Sequence, residues 1–146
     1  MDTAGSVRVV PIETAAQMRE AHTIRRSVFL EEQSVPEEIE LDDDDAHAFH
    51  VLAILDGAAV GCGRFVTHGD EVKIGRMAVL ANLRTHGIGR EVLEFLMRIA
   101  KERGYKHAIL HAQLSAEGFY LKCGYRPVGE VFEEAGIPHR KMERTL

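Results

Sequence analysis

Cysteine is scarce in this chain. Cys62 and Cys123 are the only two, they stand far apart, and they fit no metal-ligand or redox spacing. So few cysteines exclude a disulfide-stapled scaffold and point to free thiols in a reducing compartment, so a cytoplasmic protein is expected. Long apolar runs are also missing, and none approaches the length that crosses a bilayer, so no membrane partner is expected. The first residues, Met1-Asp2-Thr3-Ala4-Gly5-Ser6, have neither a basic nor an apolar stretch, and no secretory leader is expected there. Positive charge is in deficit: 18 Lys and Arg stand against 23 Asp and Glu, a formal net charge of −5. That balance argues against a dedicated nucleic-acid binder, which normally presents a basic surface.

What is present fits one soluble domain spanning residues 1–146. The chain has 146 residues, of which 45% are hydrophobic and 28% charged, enough to bury a core without staples. No internal repeat, low-complexity linker or domain boundary interrupts it. The acid is unevenly spread, with a concentrated stretch at Glu37-Glu38-Ile39-Glu40-Leu41-Asp42-Asp43-Asp44-Asp45. Its plain reading is a solvated loop. Its sharper reading is a rim that concentrates cationic amines. Asp42, Asp44, Asp45, His47 and His50 are metal-ligand types, but a calcium loop starting at Asp42 would need glycine at His47 and glutamate at Ala53. No metal is expected.

The element pattern is alternating. Val7 to Ile12 has strand composition, and Thr14 with Gln17 forms a capping box for a helix carrying Ala15, Met18, Ala21, Ile24, Val28 and Phe29, ended by Pro36. Phe49 to Leu55, the turn Asp56-Gly57, Val60 to Val66, the turn His68-Gly69-Asp70 and Val72 to Leu80 predict an antiparallel meander. Gly89 to Arg103 is amphipathic, with Gly104 placed as its C-terminal glycine. Ala108 to Ala112 is a buried strand. Ser115 is expected to cap a short helix to about Cys123, followed by Gly124, and Tyr125 to Phe132 and His139 to Glu143 close the sheet. A strand–helix–strand unit in the middle implies a parallel pair with a right-handed crossover. The expected fold is α/β: a mixed, mostly antiparallel central sheet with helices on both faces.

The most informative stretch is Arg84-Thr85-His86-Gly87-Ile88-Gly89-Arg90, between a strand and an amphipathic helix. Glycines let backbone approach a ligand closely, and a helix start offers unpaired N–H groups and a positive dipole end. Together these bind phosphate or pyrophosphate, and Arg84 and Arg90 add charged donors. The loop lacks the lysine of a P-loop and the spacing of a dinucleotide fingerprint. A glycine-rich helix entry with no ligand is the competing reading.

A second element follows some thirty residues on: Ala116-Glu117-Gly118-Phe119-Tyr120-Leu121-Lys122-Cys123-Gly124-Tyr125. The pattern Arg-x-x-Gly-x-Gly opening a helix, then Ala-x-x-Phe-Tyr-x-x-x-Gly-Tyr, resembles the GNAT superfamily of acyl-CoA N-acyltransferases, over nearly the whole chain. Val28-Phe29-Leu30-Glu31-Glu32-Gln33-Ser34-Val35-Pro36, Gly61-Cys62-Gly63-Arg64, Ile74-Gly75-Arg76-Met77-Ala78-Val79 and Glu134-Ala135-Gly136-Ile137-Pro138-His139 resemble one bacterial subgroup of it.

The resemblance implies an acetyl-CoA co-substrate, with a parallel strand pair splayed around it. Arg84, Thr85, His86, Gly87, Ile88, Gly89 and Arg90 would hold the pyrophosphate. Met77, Ala78 and Val79 would pair with the pantetheine arm, and Phe119 and Tyr120 would lie near the thioester. It also implies transfer to an amine, expected to be a small cationic molecule, and allows a homodimer. Deprotonating an alkylamine at neutral pH costs roughly 4–5 kcal/mol, so a base is required. Tyr120 is the candidate acid for the leaving thiolate, and the amide of Ala78 or Val79 the candidate oxyanion donor. Glu32 and His111 are candidate bases, each with a structural alternative, whereas His50 reads better as a core histidine. Arg76 and Gln113 are candidates for orienting substrate or cofactor, and His139 for lining the acceptor pocket. A non-catalytic acyl-CoA sensor would carry the same loop.

Overall fold

Strand-forming residues and tight turns build most of the molecule. β1 (Val7–Pro11), β2 (Phe49–Leu55), β3 (Ala58–His68) and β4 (Glu71–Val79) form the antiparallel meander expected from the pattern. Asp56 and Gly57 turn the β2–β3 hairpin, both with positive φ (52° and 81°), as the Asp-Gly pair predicts. The computed structural model describes residues 6–146, and Met1 to Gly5, where the expectation of no leader rests, lie outside the described residues. Among the described residues, no helix is long and apolar enough to cross a membrane.

One seven-stranded sheet runs β1-β2-β3-β4-β5-β7-β6, with β5 at His107–Gln113, β6 at Arg126–Glu134 and β7 at Ile137–Thr145. Every neighbouring pair is antiparallel except β4–β5. Side-chain alternation sends Leu52, Cys62 and Ala78 to one face, where they pack under helix α1 (Ala15–Arg25) through Ala21 and Ile24. Val51, Ala53 and Phe65 face the other side, under helix α3 (Ile88–Glu102), whose Val92, Leu93, Leu96 and Ala100 are buried. Helices therefore cover both faces. The glycines of β3 have a packing reason. A Cβ at Gly63 would stand 2.8 Å from Val92 Cγ1 and 3.0 Å from Leu96 Cδ1, so glycine is what lets α3 lie this close to the sheet.

Two expectations change. The first helix is α-helical only to Arg25 and then widens into a π-helix over Arg26–Glu32, a winding that keeps Val28 buried and that a period of 3.6 does not distinguish. Pro36 follows the end of that helical region at Gln33, as expected, and is also the N-cap of a short helix α2 (Glu37–Glu40). Ser115 caps nothing: it lies inside a 3₁₀ turn, Leu114–Ala116, and helix α4 (Glu117–Lys122) starts after Ala116 without a side-chain cap.

The acidic stretch is solvated at Glu37, Glu38, Asp43 and Asp44, as its plain reading has it, but Glu40, Asp42 and Asp45 turn inward. Arg25 is 1% exposed, and its Nε donates to Glu40 at 2.5 Å while its terminal nitrogens grip both oxygens of Asp45 at 2.9 Å. Arg64 grips both oxygens of Asp42 at 2.8 Å and reaches Asp45 at 2.6 Å. Arg76 donates to the Ile39 and Glu40 carbonyls and to Asp42 at 3.1 Å. Three guanidiniums and these three carboxylates cancel, and they clamp the stretch onto the sheet. Fork geometry explains why each charge tolerates burial here.

Candidate active site

The β4–β5 pair is parallel for only four residue pairs, Glu71↔His107 to Ile74↔Leu110. Beyond these the strands part. A bulge starts the separation: between Cys62↔Ala78 and Arg64↔Gly75, one residue of β3 faces two of β4, and Arg76 takes φ 52°, rare for a side-chain-bearing residue. From Gly75 to Val79, β4 is bonded to β3 on one side and has no strand on the other. An open edge of this kind presents alternating N–H and C=O groups to any extended partner. The gap is a cleft of about 570 Å³, walled by Met77, Ala78, Val79, Arg84, His111, Gln113 and Tyr120.

The open edge leads into the start of α3. Thr85 and Gly87 both turn left-handed (φ 69° and 82°), and Gly87 is an N-cap with no side chain bonding the first-turn amides. The N–H groups of Ile88, Gly89 and Arg90 therefore lack helical acceptors, in a helix of 15 residues. This arrangement fits an anionic phosphate. The two motifs meet here: a Cβ on Gly89 would touch Phe119 Cζ at 3.6 Å. Phe119 packs edge-on against Tyr120 (5.0 Å), which packs edge-on against Tyr125 (6.0 Å). Burial pushes the Tyr120 phenol up to about 12, so it stays a proton donor.

On the β5 side, His111 Nδ1 lies 2.9 Å from Glu134 Oε1, with Phe132 edge-on to the imidazole. Burial alone would raise Glu134. The hydrogen bond from His111 and the electrostatic attraction of His111, His139 and Lys73 outweigh it, and Glu134 sits below the ordinary glutamate range. At the far end the clamped acidic wall contributes Glu40 and Asp42, beside Arg64 and Arg76. The Arg64 hydrogen bond, against the opposing effect of burial, lowers Asp42 to about 2.

The family model of the acetyltransferase (GNAT) domain matches residues 13–146. The chain belongs to the GNAT acetyltransferase family. Among curated relatives, YyaT of Bacillus subtilis is 38% identical over 138 residues, covering 92% of this chain and 93% of the relative. The uncharacterized N-acetyltransferase YjcF of Bacillus subtilis is 34% identical over 137 residues, covering 93% and 98%. Among solved structures, an acyl-CoA N-acyltransferase from Pseudomonas aeruginosa superposes with a TM-score of 0.83 at 26% identity, covering 95% of this chain and 99% of that one. The fold is the GNAT fold, and the chain is an acyltransferase of a family whose co-substrates are acyl-CoA thioesters.

Seen as a GNAT site, the cleft gathers Met77, Ala78, Val79, Arg84, Gln113, Tyr120 and His111, together with Arg76 and His139. Thr85, His86, Gly87, Ile88, Gly89 and Arg90 stand beyond it at the helix start, where His86 Nδ1 lies 2.9 Å from the Arg84 carbonyl. Glu32 is not on the cleft wall. Its carboxylate is held by both a close contact and a 3.1 Å bond from Arg84, whose Nε donates to the Val79 carbonyl at 2.9 Å. The next residue, Gln33, accepts from Gln113 across the cleft at 2.8 Å. Consecutive residues of the π-helix end thus tie it to the phosphate loop and to the tip of β5. His50 is a buried histidine whose Nε2 meets the Asp45 carbonyl at 2.9 Å, away from the cleft. Sequence reasoning missed Glu134, Gln33 and the Arg25 and Arg64 clamps. For Glu134 a signal existed: Phe132 and Glu134 alternate on the same face of β6.

Proposed function

We propose that this protein is an N-acetyltransferase that moves an acetyl group from acetyl-CoA to a small primary amine by direct attack. The observation that carries the reading is the free β4 edge running into the uncapped start of α3, with Tyr120 and His111 on the same cleft. Met77, Ala78 and Val79 would pair with the pantetheine arm, as an added strand pairs with an edge. The amides of Ile88, Gly89 and Arg90, assisted by Arg84, would receive the pyrophosphate.

His111 takes the proton of the attacking amine. As the C–N bond forms and the C–S bond breaks, Tyr120 gives its proton to the sulfur, a role supported by a phenol held protonated by burial. An amide at Ala78 or Val79 steadies the developing oxyanion. His111 is preferred to Glu32 as base because it lines the cleft, whereas the Glu32 carboxylate is engaged by Arg84. The carboxylates of Asp44 and Glu134 on the wall suit a cationic acceptor, and a cleft of about 570 Å³ that must also take the thioester arm suits a small one.

The test is CoA thiol release from acetyl-CoA against a panel of polyamines, amino acids, aminosugars and arylalkylamines, with Tyr120→Phe beside the wild type. Turnover with some amine, about a hundredfold slower in Tyr120→Phe at unchanged acetyl-CoA affinity, is expected. Tight acetyl-CoA binding with no turnover would favour a sensor. No binding would overturn the whole reading.

A further inference from the structure

Two imidazoles and a carboxylate meet where the β6–β7 hairpin overhangs the cleft. Glu134 ends β6, immediately before the two-residue turn Ala135-Gly136, whose φ values are 53° and 75°. The register of β6 shifts between Val128 and Phe132, which sets Phe132 opposite His139 and Glu134 opposite Ile137. That shift turns Phe132 and Glu134 toward His111 of β5 and His139 of β7. Glu134 Oε1 is 2.9 Å from His111 Nδ1, and Glu134 Oε2 is 3.9 Å from His139 Nε2. Phe132 lies between the rings, edge-on to His111 (4.9 Å, 78°) and stacked on His139 (6.0 Å, 25°). His139 Nδ1 donates to the Ile137 carbonyl at 2.7 Å, which fixes that ring. The other charges near the group are Lys73 of β4 and Lys141 of β7, which stands opposite His111 in the strand register.

An ionised carboxylate has no proton to give, so the ring nitrogen facing it must carry one. Glu134 therefore keeps His111 in the Nδ1–H form, and the lone pair is left on Nε2. Free neutral imidazole prefers the opposite tautomer. We propose that Glu134 is a positioning residue: it holds the tautomer and ring angle that make His111 Nε2 the base. This rests on the transferase reading for its chemistry, though the tautomer is a property of the protein alone. The amine proton moves to His111 Nε2 as the C–N bond forms, and the resulting imidazolium lies against the Glu134 carboxylate. The C–S bond breaks with Tyr120 protonating sulfur. Solvent then takes the imidazolium proton and restores the phenol.

Two arms test it. In ¹⁵N-histidine-labelled protein above neutral pH, two-bond ¹⁵N–¹H correlations report the tautomer of each ring, with His111 assigned by its loss in His111→Asn. The expected result is Nδ1–H for His111 in the wild type and a shift to Nε2–H in Glu134→Ala. In the kinetic arm, with acetyl-CoA and the fastest amine of the panel, Glu134→Gln and Glu134→Ala lower kcat about ten- to a hundredfold at unchanged acetyl-CoA affinity. An Nε2–H wild-type His111, or an unchanged kcat in both Glu134 variants, would overturn the proposal. If the wild type turns over no amine, the transferase reading fails while the tautomer spectra still decide this one.

Discussion

At the scale of single residues, the protonation of Tyr120 and the pairing of Arg84 give the sharpest expectations. Burial holds the Tyr120 phenol up at about 12, so its donor form persists through the neutral range. A raised acid remains competent as pH climbs, and the base limb of kcat should show no loss on its account until pH approaches that value; stopped assays up the alkaline range check this. Arg84 faces a choice. It is committed to Glu32 and to the Val79 carbonyl, yet it opens the loop that would receive a pyrophosphate. Arg84→Ala should weaken acetyl-CoA binding about tenfold or more, the worth of a charged hydrogen bond. Glu32→Gln should tighten it, because the competing anion is gone. Titration calorimetry reads both, and a weaker Glu32→Gln would show the pair to be part of the site.

Elements explain why the site has its shape. Helix α3 lies close to β3 only because Gly61 and Gly63 offer no side chains, and that closeness aims its first turn at the end of β4. A Cβ at Gly63 would meet Val92 Cγ1 at 2.8 Å and Met77 Sδ at 2.9 Å. Gly63→Ala should cost about 1–3 kcal/mol in urea unfolding. Gly75→Ala, with nothing within 4 Å of its Cβ, should be neutral to within about 0.5 kcal/mol. Strands, hairpins and α3 were legible because their signals are local: Asp56-Gly57, Thr14 with Gln17, the 3.6-residue stripe of α3, Gly104 and Gly124. Ser115 misled because a capping residue type is necessary for a side-chain cap but not sufficient; the chain turns 3₁₀ there first.

The molecule as a whole depends on partners distant in sequence, and there the residues alone fall short. Nothing local tells Glu40 that it will meet Arg25 from α1, or Asp42 that it will meet Arg64 and Arg76 from the sheet. Glu40, Asp42 and Asp45 read as solvated until the strands assemble. Likewise Glu134 finds His111 only through the register shift of β6. The clamp has a pH signature. The Arg64 hydrogen bond, working against burial, lowers Asp42 from 3.8 to about 2. Burial raises Asp45, but its bonds to Arg25 and Arg64 outweigh that and leave it lowered too. Both are lower in the folded state than in the unfolded chain, so their stabilisation is fully present above about pH 4 and is lost as pH falls below it, for Asp42 through about 2. Thermal melts from pH 7 to 2 should drop steeply in that window. Asp42→Asn should lose about 1–2 kcal/mol at neutral pH and flatten the drop. The parted strands leave a last mark. Along Gly75–Val79, β4 is paired with β3 at Gly75, Ala78 and Val79 and has no strand on its other side. In deuterated buffer the amides on that open side should exchange ahead of their neighbours, and an acyl-CoA lying along the edge should slow that set alone, writing the footprint of the thioester arm on one side of a single strand.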